Sequence, residues 1–386
     1  MDHITLYPPR RWRPLVHQAK RCHSLVACRR IHFLLHVWSD RFSYMFGPIA
    51  VALLTGRLVA LDSQPVAGVQ VIVRWSEQSI LGAVDTLQVD SAGRFGGLAR
   101  DVPGDSVSLV IDASPASRYD GAQLVVPRSR LGDEIRVLLV PKRWIIRRGR
   151  FAGVEVTIDP AAALHRAPDF GSFGRVSATR VVGWVPGSFP IPIVLRHDGG
   201  GRITAGDSLA FWVAAHDVED ALGGRFFLPW NDTTIRGRIY PVDIRIDRRI
   251  PAAGITFVTW DAGGNIFEGS VRFHGSAEMR VAGIVQHELM HVLGFGHTVA
   301  WPSAMETRTR RAGLLTAADV AYAQLLMAVH ACQQDPLVVG GLTEARRNTE
   351  TLPPGSVSSH FPPHDITTPL SSRERHPRIG DSPDRR

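Results

Sequence analysis

Residues 287–297 read HELMHVLGFGH, with histidines at the first, fifth and eleventh places. Apolar residues around them (VAGIVQHELMHVL) have helical spacing, which predicts a helix from about Ala277 through Leu293. On a helix, residues four apart share a face, so His287 and His291 can aim two imidazoles at one point. Zinc takes neutral imidazole nitrogen, and a catalytic zinc keeps three protein ligands and one water. Glu288 follows the first histidine directly, beside the metal, where a general base is needed. Gly294 can take the left-handed conformation that ends a helix, letting the chain turn and return His297 to the same ion. A structural zinc site would need a fourth protein ligand, and no cysteine lies near.

The motif H-E-x-x-H-x-x-G-x-x-H resembles the zinc signature of the metzincin metalloproteases. Met305, in HTVAWPSAM, stands where that clan has its Met-turn, and the short gap after His297 looks most like the matrixin branch. LTAADVAYAQLL resembles the C-terminal helix of matrixins, and Thr316 as N-cap with Asp319 at the third helical position makes independent physical sense. The likeness covers residues of roughly 184–332 and is specific only in its last third. It implies an α+β fold: a twisted mixed sheet, an active-site helix and a C-terminal helix. It also implies a zinc-dependent endopeptidase acting through a zinc-bound water that Glu288 activates, with His287, His291 and His297 as ligands. Gly294 and Met305 would support the site, Met305 as an apolar floor beneath the imidazoles.

Several features depart from the family pattern. The Pro-Arg-Cys-Gly segment that holds many matrixins latent is missing, and Thr307 stands where astacins and serralysins have a tyrosine. Asp261, Gly263, Gly264 and Asn265 resemble a Gly-rich calcium loop without its histidines, so Ca2+ competes there with a plain turn. Glu306 as third ligand, the gluzincin arrangement, is a rival that His297 makes unnecessary. An extended peptide would pair with an edge strand, for which FEGSVRF (267–273) is the positional candidate.

Upstream, residues 50–142 hold short runs of β-formers (TGRLVA, GVQVIVRW, SLVID, AQLVV, EIRVLLV) separated by turn residues. An all-β sandwich is expected there. LTGRLVALDSQPVAGVQVIV followed by VDSAGRF resembles the carboxypeptidase-regulatory-like β-sandwich, a module that is usually non-catalytic. The organisation expected is multidomain: a disordered, signal-like or mis-assigned start over 1–48, the sandwich at 50–142, a linker at 143–182, the zinc domain at 183–333 and a disordered tail at 334–386. Within the zinc domain, AGDSLAFWVAAHDVEDAL reads as a helix with Leu209, Trp212, Val213, Ala214, Val218 and Leu222 as its apolar positions, stopped by the glycines at 223–224.

The net charge of +8 does not point to nucleic acid. Residues 1–44 hold eight arginines and lysines against two aspartates, so the rest of the chain carries little net charge and no broad basic face. Cys22, Cys28 and Cys332 make no disulfide framework, although the first two could bridge. No run of 18 apolar residues exists, so no integral span is expected. The partners expected are a protein or peptide substrate and no second subunit, and the resemblance implies an extracellular or cell-envelope location. A rival of another class is a non-catalytic, zinc-containing surface or adhesion protein whose sandwich binds a partner. The intact Glu288 argues against it.

Overall fold

The computed structural model describes residues 51–66, 69–74, 84–101, 106–114, 116–164, 173–177, 180–196, 201–230, 240–306 and 314–339. The expectations for residues 1–48, Cys22, Cys28, Thr307 and the chain beyond 339 lie outside them. The described part is mixed α/β, with several sheets, many strands and few helices.

Seven strands open the chain: β1 Val51–Ala60, β2 Val69–Arg74, β3 Val84–Leu87, β4 Arg94–Asp101, β5 Ser106–Ala113, β6 Ala122–Pro127 and β7 Glu134–Leu139. The alternation in β2 explains its choice of faces, because Val69, Val71 and Val73 are buried while Gln70 and Arg74 are exposed. One sheet has the order β3-β2-β5-β6, and the other contains β7-β1-β4. The two share one apolar cluster that includes Leu54, Val71, Leu109, Tyr119, Leu124 and Val137. The DSAGRF turn forms as the sequence suggests, with Asp90 Oδ1 accepting from Ala92 N at 2.9 Å and Arg94 N at 2.7 Å.

Residues 143–182, expected as a linker, carry β8 Arg143–Ile145 paired with β9 Glu155–Thr157, a short α1 Pro160–Leu164, and β10 Val176–Ser177 paired with β11 Arg180–Val181. They bury Trp144, Ile146, Ile158 and Phe173 in a second apolar cluster.

Around that cluster stand β12 Ile191–Leu195, α2 Ala205–Leu222, β13 Phe227–Pro229, β14 Val242–Ile246, β15 Gly254–Trp260 and β16 Ile266–Phe273. They are followed by α3 Ser276–Met279, α4 Ala282–Val292, α5 Ala317–Gln333 and β17 Val338–Val339. The five strands have the order β13-β12-β14-β16-β15; the first four are parallel, and β15 lies antiparallel at the edge. This corrects the substrate-strand expectation: FEGSVRF lies in β16, enclosed between β14 and β15, and the outer strands among the described residues are β13 and β15. β13 and β17 are too short to stand out from their sequence.

Two helices also differ in detail from the sequence reading. Leu209 and Val213 of α2 face outward, 68% and 53% exposed, and the buried face is formed by Phe211, Ala214, Ala215, Val218 and Leu222. Its start explains the rotation. Thr204 and Asp207 form a capping box, and Asp207, fully buried, also accepts from Arg280 Nε at 2.6 Å and Ser276 Oγ at 3.0 Å. That contact pins the 207–211–214–218 stripe inward. The helix expected over 277–293 is split, because Val281 takes the extended conformation (φ −86°, ψ 105°) between α3 and α4.

β7 joins the two clusters. Its alternation sends Val137 and Leu139 into the first and Leu138, with the following Val140, into the second. β17 adds in parallel to the other side of β7, helped by an Arg136–Asp335 ion pair and by Arg130 Nη2 donating to Pro336 O at 2.6 Å.

Candidate metal centre

α4 carries His287, Glu288 and His291, and its end carries the turn to His297. Gly294, at φ 104°, sits just past the cap. Phe295 N donates to Met290 O at 3.1 Å and Gly294 N to His291 O at 3.0 Å, the bond pair of a glycine-terminated helix end. Trp184 Nε1 satisfies Val292 O, another carbonyl of the last turn, at 2.8 Å.

The turn is held from outside as well. Phe173 stacks on Phe295 with ring centroids 5.0 Å apart, Gly174 bridges to Phe295, and Gly296 N donates to Phe173 O at 2.7 Å. A strand-like strap from far upstream thus fixes the segment that delivers His297.

The three imidazoles meet. The Nε2 atoms of His287 and His291 are 3.1 Å apart, and each lies 3.2 Å from Nε2 of His297. His287 Nδ1 lies 2.7 Å from Ala304 O, and His291 Nδ1 lies 2.7 Å from Phe295 O. A carbonyl oxygen only accepts, so in both rings Nδ1 carries the proton and Nε2 presents a lone pair. Lone pairs this close repel unless a cation sits among them. Zinc–imidazole bonds of about 2.0–2.1 Å at tetrahedral angles would place ligand nitrogens about 3.3 Å apart, close to what is found. The residues therefore fit a metal ion, and this is the one group of three convergent ligating side chains among the described residues.

Electrostatics favour the neutral, ligating form. His291 is held well below its ordinary pKa, first by burial, then by His297, His287 and the cation of Arg175. Arg175 is itself buried and lies over the ring of Trp260. Glu288, 1% exposed, is pushed up to about 7 by burial, against the lowering pull of the Thr256 hydroxyl. It stands outside the convergent group.

Met305 is fully buried, in a turn tied to the site. The neighbouring Ala304 carbonyl is the acceptor for His287, and Thr298 N donates to Met305 O at 3.1 Å. Asp319 anchors this turn: it accepts from Ala304 N at 3.1 Å, from Trp301 Nε1 at 3.0 Å and from Ser303 Oγ. The same carboxylate completes the capping box with Thr316 that the sequence predicts. Its second duty, together with the roles of Phe173 and Thr256, escaped the sequence reading, since nothing local to those residues signals it.

Glu306, the rival third ligand, is not in the group; its Oε1 accepts from Ser303 N at 3.3 Å. In the candidate calcium loop, Asp261 Oδ1 accepts from Asn265 N at 2.9 Å and Oδ2 from Asn265 Nδ2 at 3.2 Å, which closes a tight turn. Cys332 is a free thiol. No helix among the described residues is long and apolar enough to cross a membrane.

No protein-family model matches the chain, and no curated protein matches it.

Proposed function

We propose that the chain is a zinc-dependent endopeptidase of metzincin type, closest in character to the matrixin branch, acting outside the cell on protein or peptide substrates. The observation that carries this reading is the convergence of three imidazole Nε2 atoms at 3.1–3.2 Å beside the buried carboxylate of Glu288. The mixed sheet, the helix carrying His287 and His291, and the closing helix α5 agree with the fold that such enzymes use.

His287, His291 and His297 would hold the ion. When bound, it supplies Lewis acidity, acidifying water and polarising a carbonyl. The protein supplies the rest. Glu288 takes a proton on its carboxylate as water attacks and gives it to the leaving amine. The helix-end turn and the Phe173 strap keep the third imidazole in place, so little reorganisation accompanies the reaction. An extended peptide would pair with β15, an edge strand among the described residues, whose Gly254 and Thr256 pack against Glu288, and so pass beside the base.

The test is digestion of casein or gelatin by the purified full chain, with and without 1,10-phenanthroline and with added zinc. Cleavage should require zinc. Glu288→Gln should lower it by roughly 10²- to 10⁴-fold while zinc stays bound. Stoichiometric zinc without cleavage of any substrate would instead favour the adhesion protein.

A further inference from the structure

We infer that Thr256 and Gly254, alternate residues on the edge strand β15, form a cradle that sets the carboxylate of Glu288, and that Thr256 is a positioning residue for the hydrolysis. The inference rests on the endopeptidase reading and names two residues that no motif contains.

A glutamate side chain turns about three bonds, and a base useful to a reaction must be held close to its working geometry. α4 fixes the backbone of Glu288 but not the far end of its side chain. β15 does that. Thr256 is 1% exposed and points toward α4, where its Oγ1 lies 2.6 Å from Glu288 Oε2 and 3.2 Å from Glu288 O. A hydroxyl has one proton to give, and the shorter path leads to the carboxylate. The second oxygen is placed by an absence. A Cβ on Gly254 would lie 2.5 Å from Glu288 Oε1 and 2.8 Å from its Cδ, so the carboxylate occupies the volume that any side chain there would fill. The backbone of Gly254 does not lie in the left-handed region, so the glycine serves space and not conformation. Strand periodicity puts residues 254 and 256 on one face, and one short segment therefore addresses both carboxylate oxygens. Because the Thr256 side chain is buried against Glu288, only its backbone could meet a peptide paired with β15, and the effect of removing the hydroxyl should fall on the chemical step.

The experiment compares Thr256→Val, Thr256→Ser and Gly254→Ala with the wild-type full chain loaded with zinc, hydrolysing a quenched fluorescent peptide. Thr256→Val should lower kcat roughly tenfold with KM within about twofold, and Thr256→Ser should restore it. Gly254→Ala should lower kcat at least as far, and all three should bind zinc as the wild type does. A second readout needs no metal: a double-mutant cycle of Thr256→Val with Glu288→Ala on unfolding of the zinc-free chain, where a coupling of roughly tenfold in the equilibrium constant is expected. A wild-type kcat in Thr256→Val, or a cycle without coupling, overturns the inference and leaves the endopeptidase reading intact. Absence of Glu288-dependent cleavage by the wild type overturns that reading, and the positioning role with it.

Discussion

Three residues bring ligand atoms together at the centre, but a fourth decides whether they can. Gly294 has φ 104°, and a Cβ there would stand 3.0 Å from Ile266 Cδ1 and 3.1 Å from Val182 O. Gly294→Ala should therefore cost about 1–2 kcal/mol of stability and displace His297, weakening zinc retention more than a surface change of equal cost. Denaturant unfolding and metal analysis after dialysis check both parts. His291→Ala removes one donor outright and should abolish stoichiometric zinc. At this scale the sequence was informative wherever the reason is local: the spacing of His287, His291 and His297 and the glycine between them follow from helix geometry. It was silent on Asp319 holding Ala304 and on Thr256 touching Glu288, because those contacts join elements whose packing the sequence does not display.

Among the elements, α2 shows how one polar contact can overrule an apolar pattern. Leu209 and Val213 look like core positions, yet Asp207 turns them outward by reaching Arg280 and Ser276. Burial alone would raise the pKa of Asp207, but hydrogen bonds from Thr204, Arg280 and Ser276 prevail and hold it at about 2, below its usual 3.8. A carboxyl depressed on folding contributes stability that is present above the unfolded pKa and lost as pH falls through the folded one. That contribution should be complete above about pH 4 and disappear toward pH 2. Asp207→Asn should flatten the acid limb of a stability–pH curve in that window, and an unchanged limb would refute the assignment. On α5, Asp319→Ala removes a helix cap and the anchor of the Met305 turn together. A loss of about 1–3 kcal/mol is expected, accompanied by weaker zinc binding, whereas removal of a simple cap would leave the metal untouched. The helix start at Thr316 was legible from its capping residues, whereas the matching cap at Thr204 went unread. The identity of the edge strand was not, because strand order is set by pairings between distant segments.

For the molecule as a whole, β7 is the member on which both clusters depend; β17 pairs with it in parallel, and Asp335, just ahead of β17, bonds to Arg136, 199 residues away in sequence. Strand existence could be read from runs of β-branched residues, but this pairing could not. Calorimetry of the full chain should give one cooperative transition, and two well-separated peaks would show that the clusters unfold independently. Leu138→Ala, which truncates the face of β7 turned to the second cluster, should cost about 2–5 kcal/mol and lower that single transition. A strand greasy on both sides belongs wholly to neither neighbour. Any excised fragment that ends just before it would bare a hydrophobic floor, and any that begins with it would trail a sticky ribbon. The histidine-bearing half is therefore expected to travel, in a gene fusion or a trimmed expression clone, only with its companion sheets attached.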